Sequence, residues 1–237
     1  MQTLALILML VSAQSLASDA DRRDALAHYR AGQEFLSAEQ WDKAVTSFQS
    51  AVKFDPLFTD AHYGLGQAFM GLKQYASAVQ AFERCLNAAR TMHGLRDKDR
   101  VNVDRQISEE LRELKEQERR LASMRGGGTM ARQTDMEQRI RELERSRSSV
   151  GGVFQPPPTV LLSLGSAHFR NDNQDKAEEY WTEAVKQNPK LGEAWNNLAV
   201  IYLRTSRKAD AENAVKSAER AGFRVNPRLK DDIRALR

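Results

Sequence analysis

The sequence has few of the residues that cross-link a chain or interrupt its regular structure. Cys85 is the only cysteine, which excludes an intrachain disulfide framework. Only 6 residues are proline while 29% are charged, and this balance favours helices. The longest apolar run, from Leu4 to Val11, is far shorter than the roughly 20 residues of a membrane span. We therefore expect no stable membrane span.

A strong excess of charge of one sign is also missing. The chain has 36 basic and 32 acidic residues, for a formal net charge of +4. Proteins that bind nucleic acid concentrate basic residues on one face or in one stripe, and this sequence mixes both signs throughout. We therefore predict that nucleic acid is not a partner.

Enzyme and cofactor motifs are absent as well. The glycines from Gly126 to Gly128 are not followed by the Gly-Lys-Ser/Thr ending of a phosphate-binding loop. The histidines have no metal-ligand spacing; they are His28, His62, His93 and His168. We predict a non-enzymatic protein without catalytic residues, cofactor or metal.

What the sequence does contain is an internal repeat. Two segments, from Ala25 and from Thr59, align without a gap at a spacing of 34 residues, and two more begin at Pro158 and Gly192. A period of this length is typical of stacked helix pairs. The matched positions hold small or bulky residues in a fixed order: Gly32, Gly66, Gly165 and Ala199; Ala44, Ala78, Ala177 and Ala211; Phe48, Phe82, Trp181 and Val215.

This pattern resembles the tetratricopeptide repeat family. The resemblance implies an all-α solenoid in which each unit is an antiparallel pair, helix A followed by helix B. The small residues let the two helices approach closely, and the aromatic residues fill the space between units. A pair cannot bury its apolar stripe alone, so neighbouring units must stack.

An insertion separates the second repeat from the third. Their starts lie 99 residues apart, 65 more than one period. Apolar residues recur at helical spacing on both sides of Gly126–Gly128: Ile107, Leu111, Leu114 and Leu121, then Met136, Ile140 and Leu143. We predict a charged helical hairpin; a dimerising coiled coil and a charged loop without fixed structure are the open alternatives.

The predicted organisation has five parts. Residues 1–17 form a signal peptide, 25–92 the first two repeats, and 93–157 the helical hairpin with a Pro/Gly linker. Residues 158–225 form the third and fourth repeats. In residues 226–237, Asn226-Pro227 predicts the start of a capping helix that closes the array.

The resemblance also implies a binding face. In this family, positions 2, 5, 9, 12 and 13 of each helix A line a concave groove, counting here from Ala25, Thr59, Pro158 and Gly192. We expect the partner to contact residues at these positions: Tyr29, Gln33, Leu36, Tyr63, Gln67, Met70, Leu162, Phe169, Arg170, Asn196, Leu203 and Arg204. The tyrosines have a second explanation, since they could simply cover the apolar stripe.

The N-terminus is typical of a secretory signal. Ser15 and Ala17, which lie a few residues beyond the apolar run, supply the small residues that signal peptidase requires. We therefore predict a periplasmic or secreted scaffold that binds a protein or peptide in its groove. The alternative is a structural spacer whose inserted coiled coil forms a homodimer.

Export has a direct test. N-terminal sequencing of the mature protein should begin at Ser18, because the predicted cleavage follows Ala17. A mature protein that retains Met1 would contradict this prediction.

Overall fold

The computed structural model describes residues 17–123, 136–141, 143–144 and 154–236. Within these ranges the regular structure is helical, as the sequence predicts. Nine helices have defined bounds: α1 Asp19–Ser37, α2 Trp41–Phe54, α3 Thr59–Gly71, α4 Tyr75–Ser123, α5 Pro158–Arg170, α6 Gln174–Gln187, α7 Gly192–Arg204, α8 Lys208–Arg220 and α9 Pro227–Ala235. None of these described helices is apolar enough over a sufficient length to cross a bilayer.

Two compact units divide the chain. The first comprises residues 1–89 and 156–237, and the second comprises residues 90–155. Helix α4 continues without a break from the first into the second, across the predicted boundary at residue 92. The predicted signal peptide lies outside the described residues except for Ala17.

The four repeats share one turn between helix A and helix B. The middle one of its three residues has a positive φ of 55–59° in every repeat, although none of the four is glycine. The next residue donates its backbone N–H to a carbonyl near the end of helix A, as Gln40 does to Phe35 at 2.8 Å. These hydrogen bonds hold a left-handed conformation that L-residues otherwise avoid. The turn residues are Glu39, Lys73, Asp172 and Ser206.

Aromatic side chains of helix B lie directly against glycines of helix A. A Cβ atom placed on Gly32 would lie 2.6 Å from the Phe48 ring, and one on Gly64 of the next repeat would lie 2.5 Å from it. Phe82 fills the same space beside Gly66. The ring of Phe48 therefore binds its own repeat to the next one.

The third repeat stacks on the second despite the insertion. Phe82 and Cys85 of α4 belong to the same buried core cluster as Leu161 of α5. The hydroxyl of Tyr63 also lies 3.0 Å from that of Ser163, across a sequence separation of 100 residues. The repeat array is thus continuous within the first unit.

Side chains at position 4 tie successive repeats together. His62 Nε2 donates to the carbonyl of Pro56 at 3.0 Å, and Trp195 Nε1 donates to the carbonyl of Pro189 at 3.0 Å. Both prolines occupy position 32 of the preceding repeat. The polar ring nitrogen thereby has a hydrogen-bond partner near the start of the next helix A.

The last helix closes the array as predicted. Asn226 caps α9 by accepting the backbone N–H of Arg228 at 2.9 Å, and Pro227 is its first residue. Ile233 is buried against the core. Lys208 of α8 donates to the carbonyl of Arg234 at 2.9 Å, which satisfies a group at the end of α9.

The second unit contains two helical segments that pack together. Leu111 of α4 is buried with Ile140 and Leu143, and residues 136–141 and 143–144 are helical. Exposed ion pairs flank this contact, Lys115–Glu144 at 2.7 Å and Arg139–Glu110 at 3.2 Å. The predicted glycine turn at 126–128 and the two glycines of the predicted linker, Gly151 and Gly152, lie outside the described residues.

The aromatic–glycine contact predicts a specific instability. Gly66→Ala places a methyl group 2.5 Å from the buried Phe82 ring, and overpacking of this kind costs about 1–3 kcal/mol. That exceeds the gain in helix propensity of about 1 kcal/mol. Denaturant unfolding followed by circular dichroism should show a net loss of stability.

Gly94→Ala is the matched control. A Cβ atom there meets no atom within 4 Å, so only the helix-propensity gain remains. Equal stability of Gly66→Ala and the parent protein would contradict the packing described here.

Candidate protein-binding groove

Three A helices surround an open cavity of about 610 Å³ in the first unit. We refer to it as the A-face cavity, because α1, α3 and α5 supply most of its lining. The lining mixes apolar side chains with amides and hydroxyls: Gln33, Leu36, Ser37, Trp41, Tyr63, Gln67, Met70, Phe82, Thr159, Leu162, Ser163, Ser166 and Glu193.

Half of the predicted groove residues line this cavity. They come from positions 5, 9 and 12 of the first three repeats and are Gln33, Leu36, Tyr63, Gln67, Met70 and Leu162. The remaining predicted residues lie outside its lining: Tyr29, Phe169, Arg170, Asn196, Leu203 and Arg204.

Three further lining residues come from outside the predicted groove positions. A Cβ atom on Gly71 would lie only 2.4 Å from the Trp41 ring, so this ring fills the space that a side chain at residue 71 would need. Phe82 reaches the cavity from helix B, and Ser163 stands at the position of Gly64 in the preceding repeat. The glycine at residue 71 is the sequence feature that could have predicted the placement of the Trp41 ring.

Both predicted groove tyrosines pack on the core, and Tyr63 also lines the A-face cavity. The Tyr63 ring lies 5.5 Å from Phe82, and the Tyr29 ring lies 5.0 Å from Phe58. Burial, together with the negative charge of Asp60, raises the pKa of Tyr29. Because the hydroxyl of Tyr63 also contacts Ser163, truncating Tyr63 would disturb the junction between repeats as well as the groove.

The residues beyond the cavity differ in their surroundings. Phe169 packs 5.6 Å from Trp181, and the guanidinium of Arg204 lies 4.7 Å over the Phe169 ring. Arg170 is exposed, while Asn196 and Leu203 are partly buried. Leu203 packs against the main core cluster.

The single cysteine has the environment of a packing residue. Cys85 is 3% exposed, and burial raises the pKa of its thiol to about 12. A thiol with this pKa carries almost no thiolate at neutral pH and is a poor nucleophile. Across the described residues, no cluster of His, Cys, Asp and Glu side chains could hold a metal ion.

His168 serves as an aromatic packing element. It occupies the position of Phe35 and Phe69, is 8% exposed, and stacks on Tyr180 at 5.4 Å. Neither ring nitrogen has a hydrogen-bond partner. Burial lowers the pKa of His168, and the nearby Glu83 carboxylate only partly opposes this effect.

A model of the tetratricopeptide repeat matches residues 29–91 and 162–222, more than half of the chain. The chain belongs to the tetratricopeptide repeat family. Proteins of this family generally mediate protein–protein interactions.

Individual relatives match only parts of the chain. The photosystem I assembly protein Ycf3 of Rippkaea orientalis is 40% identical over 60 residues, which cover 25% of this chain and 35% of that protein. Human tetratricopeptide repeat protein 5 is 36% identical over 87 residues, which cover 36% of this chain and 19% of that protein. The chain thus spans about a third or less of these curated relatives.

A solved structure matches over a greater length. The Pseudomonas aeruginosa pilF structure covers 89% of this chain and 82% of its own, at 18% identity and a TM-score of 0.37.

The buried histidine predicts loss of stability in acid. The unfolded chain protonates His168 below about pH 6.5, whereas the folded chain resists protonation because its pKa is lower. His62 acts in the same direction, since burial lowers its pKa too. The free energy of unfolding should therefore fall as the pH drops below about 6.5.

His168→Phe isolates the contribution of this residue. Phenylalanine restores the aromatic of the first two repeats and removes the titrating group. Urea unfolding at about pH 7.5 and about pH 5 should show a smaller loss for the variant than for the parent. Identical losses would mean that His168 is protonated equally easily in both states.

Proposed function

We propose that the protein is an exported, non-enzymatic scaffold that binds an extended segment of another protein in the A-face cavity. The observation that carries the proposal is the cavity itself. Its volume of about 610 Å³ falls within the roughly 300–1,000 Å³ of ligand sites, and its lining offers both apolar and hydrogen-bonding groups.

The lining suits a polypeptide in particular. Gln33 and Gln67 stand one repeat apart, and each amide can both donate to and accept from a peptide backbone. Leu36, Met70 and Leu162 offer apolar contacts for side chains between those backbone contacts. A role in binding other proteins also agrees with the relative Ycf3, which is a photosystem I assembly protein.

Export agrees with the position of the first described helix. Helix α1 begins at Asp19, and its cap Ser18 follows the predicted cleavage site. Ser18 accepts the backbone N–H of Asp21 at 3.1 Å, and the Asp21 carboxylate accepts from Ser18 in return. Cleavage after Ala17 would leave this capping box intact.

The spacer hypothesis receives less support. The apolar residues Leu111, Ile140 and Leu143 are already buried against one another within one chain. A concentration-dependent dimer in sedimentation, lost on deletion of residues 97–147, would favour that hypothesis instead.

The groove can be tested with displayed peptides. A random library of peptides about twelve residues long, displayed without a free C-terminus, should yield sequences that bind the protein. Gln33→Ala combined with Gln67→Ala should weaken their binding about fivefold or more, because each lost hydrogen bond contributes about 0.5–1.5 kcal/mol.

Gln49→Ala combined with Gln80→Ala provides the control. These two glutamines line a separate cavity of about 300 Å³, so the same chemical change is made at another surface. Failure to select any peptide, or equal weakening by both double variants, would contradict binding at the A-face cavity.

A further inference from the structure

The face that carries the A-face cavity continues along the third and fourth repeats with a different character. Position 12 is apolar in all four repeats, where it holds Leu36, Met70, Phe169 and Leu203. The first two of these residues line the cavity. Position 13 is uncharged in the first pair and arginine in the second: Ser37, Gly71, Arg170 and Arg204. Ser37 lines the cavity, so position 13 belongs to this face.

Both arginines are exposed, and within the described part of the chain neither forms an ion pair. The guanidinium of Arg204 is held 4.7 Å over the Phe169 ring, which limits its freedom and leaves its N–H groups open to solvent. By contrast, Arg207 in the same repeat already pairs with Glu178 at 2.6 Å. Arg170 and Arg204 therefore form a basic edge that carboxylates can reach.

The opposite edge of the same face has acidic residues in two of the four repeats. Position 2 holds Asp60 in the second repeat and Glu193 in the fourth, and Glu193 lines the cavity. Eleven residues of helix separate positions 2 and 13, or about 16 Å at 1.5 Å per residue. A carboxylate on a bound segment is therefore repelled from one edge and attracted to the other.

We propose that the partner segment carries internal acidic residues, which pair with Arg170 and Arg204, beside an apolar stretch that enters the A-face cavity. This inference rests on the proposed function and specifies its partner. Arginine pairs with carboxylates through two parallel hydrogen bonds, so it fixes the position of an acidic side chain as well as attracting it. The apolar cavity and the basic edge together determine the direction in which the bound segment lies.

The peptide selection tests this composition. Peptides that depend on Gln33 and Gln67 should be enriched in Asp and Glu on one side of an apolar stretch. Arg170→Gln with Arg204→Gln should weaken the best of them about tenfold or more, and added salt should weaken binding to the parent. Arg224→Gln with Arg228→Gln changes the charge equally at exposed sites of the C-terminal region and should leave the affinity unchanged.

The outcomes separate the two proposals. Groove-dependent peptides without an acidic excess, or acidic peptides that bind the two arginine double variants alike, would overturn this inference and leave the scaffold function standing. A library that yields no groove-dependent peptide would overturn both.

Discussion

The first unit is held together by close contacts in which an aromatic side chain of one helix packs against glycine on another. Phe48 lies within 3 Å of the Cβ positions of both Gly32 and Gly64, which belong to successive repeats. Even a methyl group at either glycine would displace a fully buried ring. Because one ring contacts two repeats, a single contact sets both the separation of helices within a repeat and the stacking between repeats. Trp181 repeats the arrangement at Gly165 and adds a hydrogen bond to the carbonyl of Leu162 at 3.0 Å.

The shape of the groove depends on that contact. Because the B helices pack closely against the A helices, residues from positions 5, 9 and 12 of three successive A helices, though not Tyr29 or Phe169, line one open space. Their side chains are partly buried, so they are held by packing yet retain surface for a partner. Tyr63 shows both roles, since its ring covers Phe82 while its hydroxyl joins the next repeat through Ser163.

Much of this architecture could be predicted from the sequence, because small residues at a spacing of 34 report where helices touch. The turns between helices could not, since Glu39 and Lys73 carry no sequence signal for the left-handed conformation that backbone hydrogen bonds impose on them. For the candidate site, periodicity identifies the face of helix A but not which of its residues meet at one cavity. Trp41 and Ser163 line the cavity from outside the predicted groove positions, whereas Asn196 and Leu203 do not line it. At position 4 the repeat spacing does not indicate the hydrogen bond to a proline carbonyl, which depends on the ring nitrogens of His62 and Trp195.

The continuity of the array across the insertion bears on how the chain folds. Contacts between the first and second repeats, and between the third and fourth, join residues close in sequence and can form early. The junction of the second and third repeats instead closes a long loop, as the 100-residue separation of Tyr63 and Ser163 shows. Lengthening a loop raises its closure entropy only slowly, by about 0.6 kcal/mol per doubling, so the finished array tolerates the inserted helices. The kinetic effect is larger: the two halves can nucleate independently, and their docking around Cys85 is the step that completes the array.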